Sequence, residues 1–245
     1  MALLSLPKKP FDIVMSYVDV NGKYILSTFV ERCLRYQTLL PMTDVCIYGL
    51  HHNNLELIEW AVSNSYDYLP AQRLAVQEDR LDALKTMKNA GALIDVCVPQ
   101  ISALKKHFET LRWCHSIGVH LDSVTTSNVA SSGELGMLIW LIDEAKAEWS
   151  VVACHHAAAR NDLVMLNWML WRQAPFDIMA AQIATECGHL DALKLLWRAH
   201  SALSKEDKWV WDWKRIHEIA MKYNHISVII WTREKEPSLC CSGIE

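Results

Sequence analysis

Apolar residues at Leu190, Leu193, Leu196 and Trp197 have the spacing of one helical stripe, and Gly188 just before them suits a left-handed residue ending a preceding helix. The chain repeats this pattern. With Leu190 as the anchor, equivalent positions are Leu55, Leu81, Phe108, Leu135, Leu163, Leu190 and Ile226, which lie 26, 27, 27, 28, 27 and 36 residues apart. A near-constant period of this length predicts stacked units, each a pair of helices.

Several columns of the repeat have a physical reason. Three residues after the anchor stand Ile58, Leu84, Leu111, Leu138, Leu166, Leu193 and Ile229, which share the anchor's helical face and define the core side. Two before it stand Asn53, Asp79, Lys106, Gly133, Asn161, Gly188 and Asn224; all but the lysine are types that tolerate left-handed backbone, so this column is the turn between helices. Six before the anchor, Gly49, Ala75, Ser102, Val129, Ala157, Ala184 and Ala220 are mostly small and permit close helix approach. Five after it, Trp60, Trp113, Trp140, Trp168 and Trp231 are expected to seal the gaps between units. Asp95, Asp122 and Asp177, with Ser150 near the equivalent place, are expected to cap the next helix. Each unit thus reads as cap, short helix, left-handed turn, longer helix.

Composition narrows the class. A chain of 245 residues with 51% hydrophobic residues can bury a large core. The net charge of −4 and the scattered Lys and Arg residues provide no basic footprint for nucleic acid. The opening MALLSLPKKPFDIV lacks the long apolar region of a secretory leader, and no run reaches the roughly 18 apolar residues of a membrane span. These features predict a cytoplasmic protein without membrane partners and leave the nucleus open. The eight cysteines are widely spaced and are expected to be reduced, with Cys240 and Cys241 an unmodified pair in the tail.

The segments CHHAAARNDLVMLNWML, AAQIATECGHLDALKLLW and APFD resemble ankyrin repeats, in particular the shortened units of about 27 residues abundant in large DNA viruses and protists. The likeness spans about residues 43–233 and is strongest in the fifth and sixth units. It implies an all-α, ankyrin-like helical-repeat solenoid of about seven helix-turn-helix units. The Thr-Pro-Leu-His signature of that family is absent, and the short unit leaves little room for a projecting finger. Between the last two anchors the insertion SKEDKWVWDWK is read as a cover for the final unit, with a local partner site as the alternative. Residues 234–245 form a C-terminal tail.

Residues 1–42 do not fit the repeat. Leu6, Pro7, Val14, Met15 and Val18 stand at spacings similar to the opening of an F-box, whose apolar residues dock the Skp1 subunit of a cullin-based ubiquitin ligase. The second half departs from that family, with Phe29-Val30-Glu31-Arg32-Cys33 in place of its usual ending. Two readings stand: a helical cap over the end of the stack, which such arrays require, and an F-box-like segment that binds a Skp1-like subunit.

Candidate catalytic chemistry is sparse. Cys154 with His155 and His156, and Cys187 with His189, carry zinc-ligand side chains. Adjacent residues on a helix point about 100° apart, however, and no Cys-x-x-Cys or His-Glu-x-x-His spacing accompanies them. His107, His189 and His225 recur just before the anchor and are expected to bond the turn or face solvent. With no phosphate loop or nucleophile elbow, the reading is a non-enzymatic interaction module without cofactor or metal, presenting a surface to an unidentified protein partner. The alternative is a substrate adaptor for a ubiquitin ligase.

The binding face is expected on the first helix of each pair. Eight and four residues before the anchors stand Arg73 with Gln77, Gln100 with Leu104, Ser127 with Ser131, His155 with Ala159, Gln182 with Glu186, and Glu218 with Lys222. Residues four apart share a helix face. This stripe is mostly polar, whereas the neighbouring Leu74, Ile101, Ile183 and Ile219 are apolar.

Overall fold

The computed structural model of the chain describes residues 44–203 and 210–241. Leu6, Pro7, Val14, Met15 and Val18 lie outside the described residues, as do Trp209 and the side chains of Cys240 and Cys241. Among the described residues the regular structure is helical throughout, with no strand. The first helices of the seven pairs are α1 (Asp44–His51), α3 (Leu69–Gln77), α5 (Cys97–Lys105), α7 (Ser123–Ser132), α9 (Val151–Ala159), α11 (Ile178–Glu186) and α13 (Trp213–Lys222). The second helices are α2 (Leu55–Ser63), α4 (Leu81–Asn89), α6 (Phe108–Ser116), α8 (Leu135–Asp143), α10 (Leu163–Trp171), α12 (Leu190–Ala202) and α14 (Ile226–Lys235). Every anchor is the first residue of a second helix. No helix among the described residues is long and apolar enough to cross a membrane.

Two columns of left-handed residues punctuate the chain. The turn column, including Lys106, has φ between +53° and +82° in all seven pairs. In most pairs the residue after it donates its N–H to the carbonyl of the small residue six before the anchor, as in Arg80 to Ala75 (2.8 Å) and His189 to Ala184 (2.8 Å). This closes the first helix with a Schellman-type turn. A second column, not read from the sequence, ends the second helix: Ser65, Gly91, Gly118, Lys146 and Gln173, with φ between +55° and +99°. These residues stop the second helix after nine residues, so both helices of those pairs have nearly equal lengths rather than short followed by longer. The sixth pair has no such residue. There α12 runs on to 13 residues.

Caps are local. Asp122 and Asp177 accept the N–H groups of Thr125 (2.9 Å) and Met179 (3.0 Å), and Asp95 accepts that of Cys97 (2.8 Å). Ser150 departs from the expectation: its side chain makes no capping bond, and its backbone carbonyl takes the Ala153 N–H instead (3.1 Å). Asn54 and Asp162, one before the anchor, cap their own second helices.

The described residues divide into two compact units, one of 44–71 with 86–92 and the other of 72–85 with 93–241. In the smaller unit α1 packs on α2, and Gly49 is required by that approach, because a Cβ there would fall 2.8 Å from Ile58 Cγ1. In the larger unit α5, α7, α9, α11 and α13 pack each on the next, and each is paired with its own second helix. The core uses the positions two, three and six after the anchor. Leu111, Cys114, Leu138, Leu141, Met165, Leu166, Met169, Leu193 and Leu196 are fully buried there. The tryptophan column is less uniform: Trp140 and Trp231 are buried, whereas Trp60, Trp113 and Trp168 are half-buried.

Trp211 of the insertion meets Trp197 edge-on at 4.9 Å between ring centres, Trp213 meets it tilted at 4.7 Å, and Trp213 reaches Trp231 at 5.3 Å. Trp213 thus joins α12 to α14. The helix α14 passes the expected boundary at residue 233, and the 3₁₀ turn Pro237–Cys241 packs back on it through buried Leu239.

Candidate interaction surface

The first helices α5, α7, α9 and α11 are rich in small residues. Ala153, Ala157, Ala158, Ala180, Ala181 and Ala184 are fully buried on α9 and α11, so these helices lie close, and their outward faces merge into one strip. Of the stripe expected from the sequence, Arg73, Gln77, Leu104, Glu186, Glu218 and Lys222 are exposed. Gln100, Ser131, His155, Ala159 and Gln182 are half-buried, and Ser127 is buried.

Part of that stripe serves the fold. Gln100 donates its Nε2–H to Asp122 Oδ2 (2.7 Å), and His155 Nε2 lies 2.7 Å from Asp177 Oδ1. In both cases the residue eight before the anchor braces the capping aspartate of the following pair. Gln72 holds the next connection in the same way, donating to the Leu93 carbonyl (2.8 Å) and accepting the Asp95 N–H (3.1 Å). Substituting Gln100 or His155 therefore perturbs stability as well as surface.

Sequence reading missed the apolar half of the strip. Val124, Val152 and Met179 stand in the first turns of α7, α9 and α11 at 48%, 43% and 46% exposure. Each is three residues before Ser127, His155 or Gln182 and so lies on the same face. They make a row of one apolar side chain per helix on α7, α9 and α11, exposed Leu104 stands in the last turn of α5, and the charged residues Arg73, Glu186, Glu218 and Lys222 lie on α3, α11 and α13. The signal was available: these residues sit a fixed eleven before their anchors. An apolar residue in a first turn, however, reads equally well as core.

The histidines before the anchors tie one pair to the one before it. His107 Nδ1 lies 2.8 Å from the Val76 carbonyl, His189 Nε2 3.1 Å from that of Ala159, and His225 Nε2 2.8 Å from that of Glu186. Each ring thus satisfies a carbonyl at the C-terminal end of a preceding first helix. Gly188 makes room for one of them, since a Cβ there would meet His225 Nδ1 at 2.6 Å.

The electrostatics separate structural groups from reactive ones. Burial pushes the Cys114 and Cys154 thiols up to about 12 and Cys46 to about 11, with Asp67 adding to the rise at Cys46 and Asp177 at Cys154. Such thiols stay protonated at neutral pH, and protonation removes the form that ligates metal or attacks an electrophile. His155, beside Cys154, is turned toward Asp177. No group of three or more His, Cys, Asp or Glu side chains among the described residues could hold a metal ion.

Burial, aided by the charge of neighbouring His155, lowers the pKa of His156, and burial with Arg233 lowers that of His217 in spite of Glu218. His217 Nδ1 lies 2.7 Å from Thr232 Oγ1. A histidine depressed below its ordinary 6.5 contributes stability that is complete above that pH and is lost as pH falls through the folded value. The carboxylates of Asp82 and Asp95 are lowered by hydrogen bonds from Arg80 and from the Cys97 N–H. At Asp122 burial pulls upward but is outweighed by bonds from Thr125 and Gln100. Their contribution persists until pH falls below the ordinary 3.8. Urea unfolding between pH 7.5 and 3 should therefore show two declines, the first beginning near 6.5. His217→Gln should flatten that first decline, and a stability that rises from pH 7.5 to 5.5 would contradict these assignments.

Neither protein-family models nor curated proteins compared with the chain match it.

Proposed function

We propose that the protein is a non-enzymatic protein–protein interaction module, an ankyrin-like repeat solenoid that offers its first-helix face to a protein partner. The observation that carries this reading is the exposed row Val124, Val152 and Met179 on three successive packed first helices, with charged residues on the first helices to either side. An apolar centre with a polar rim is the anatomy of a protein interface. The net charge of −4 and the scattered cations argue against a nucleic-acid partner. Cys46, Cys97, Cys114, Cys154 and Cys187 are free thiols, which suits a reducing compartment such as the cytoplasm.

Replacing Val124, Val152 and Met179 together by serine tests the reading. Thermal stability should change little, because each side chain already stands nearly half in water, whereas affinity capture of the partner from cells should be lost. Equal capture by the variant and the unmodified chain would overturn it.

The ubiquitin-adaptor reading rests on Leu6, Pro7, Val14, Met15 and Val18 and has a separate test. Co-purification of a Skp1-like subunit and a cullin with the full chain, absent from a folded chain lacking residues 1–38, would establish it. Loss of stability on that deletion without any such co-purification would support a cap.

A further inference from the structure

A groove of about 650 Å³ is lined by α8, α10 and α12. Its walls include Val164 and Trp171, exposed to 71% and 73%, together with half-buried Trp168 and Leu195. Scattered apolar residues at a surface need no explanation, but large ones gathered in a groove mark a binding site. Trp171 is also held in place: the Arg172 guanidinium lies over the rings of Trp168 and Trp171 at 5.7 and 5.8 Å and is anchored by Asp143. A pre-oriented ring loses little freedom when a partner covers it.

Charge defines the occupant. Lys194 and Arg198 line the α12 edge of the groove one helical turn apart, and neither makes an ion pair among the described residues. Asp191, the carboxylate in the lining, lies in the first turn of α12, where the helix N-terminus favours negative charge. Arg172 and Asp143 compensate each other. The groove therefore presents two cations without an ion pair among the described residues, beside an apolar floor in a chain whose net charge is −4.

We infer that this groove docks a short, acidic, amphipathic helical segment of a partner protein. Its apolar residues, three and four apart, seat on Val164, Trp171 and Leu195, and its carboxylates face Lys194 and Arg198. The nine-residue helix α10 is about 13 Å long, so the occupant contributes two to three helical turns. The site belongs to the second-helix layer and is independent of the first-helix row.

Selection of a random 15-residue peptide display library on the full chain tests the inference. Enriched sequences should combine apolar residues at helical spacing with Asp or Glu. A synthetic peptide of the enriched sequence should bind Trp171→Ala about tenfold or more weakly, with melting unchanged. The double variant Lys194→Glu, Arg198→Glu should reject that peptide and accept its Lys-substituted counterpart. The Val124, Val152, Met179 serine variant should bind it normally, which separates this site from the first-helix surface. Failure to enrich acidic sequences, or binding indifferent to Trp171 and to the charge reversal, would overturn the proposal. So would self-association of the chain abolished by Trp171→Glu, because the occupant would then be a second copy.

Discussion

Truncating Trp140 to alanine should lower the unfolding free energy by about 3–5 kcal/mol, measured by urea denaturation. The indole is buried on α8 and meets two side chains of α6 edge-on: Phe108 at 5.4 Å and His115 at 5.6 Å between ring centres. It spans two successive pairs, so its removal leaves a cavity at their junction and forfeits edge contacts that contribute about 0.5–1.5 kcal/mol apiece. Nearest-neighbour coupling then carries the loss into the adjacent helices. Trp171→Ala is the contrast. That side chain is 73% exposed, and its loss should stay within about 0.5 kcal/mol. Trp113 and Trp168, half-buried members of the same column as Trp140, should fall between the two. An unchanged unfolding midpoint for Trp140→Ala would show that the indole seals nothing.

The uneven tryptophan column shows where sequence reading stops. Anchors and turns were legible because each is fixed by a local rule: the anchor by the start of an apolar stripe, the turn by residue types that accept positive φ. Those rules are strong enough that Lys106, an unfavourable type, is drawn into the left-handed conformation with its neighbours in the column. The second left-handed column was not legible. Ser65, Lys146 and Gln173 occupy it without the glycine or asparagine that would announce it, and only Gly91 and Gly118 carry the signal. Burial was legible by column but not by member. The positions six after the anchor, from Ala61 through Leu141 to Thr232, are all fully buried, yet their chemistry is too varied to stand out beside a row of tryptophans.

The candidate surface was half legible for a related reason. Polar identity picked out Arg73, Glu218 and Lys222 correctly as exposed, but it could not tell that Gln100 and His155 are occupied by Asp122 and Asp177 of the following pairs. Those bonds join residues 22 apart, and their existence depends on how one pair is set against the next. The exposed Val124, Val152 and Met179 escaped for the converse reason, because an apolar letter carries no mark of the direction in which its helix turns it.

Leu166 and Ile229 occupy the same column, three after their anchors, and their substitution should have different consequences. Leu166 lies on α10 between neighbouring pairs and is fully buried, whereas Ile229, on the last described pair, is half-buried. Leu166→Ala should cost about 2–5 kcal/mol, because transfer energy and an unfilled cavity add where the surroundings cannot collapse. Ile229→Ala should cost less than half as much, since part of the removed surface was already hydrated. Hydrogen exchange should distinguish the reach of the two changes. In the Leu166 variant, amides of α9, α10 and α12 should lose protection together, because α10 packs directly on both of the others. In the Ile229 variant the loss should stay within α13 and α14. Equal destabilisation by the two substitutions would mean that packing against neighbouring pairs contributes little and that each pair is stabilised mainly within itself.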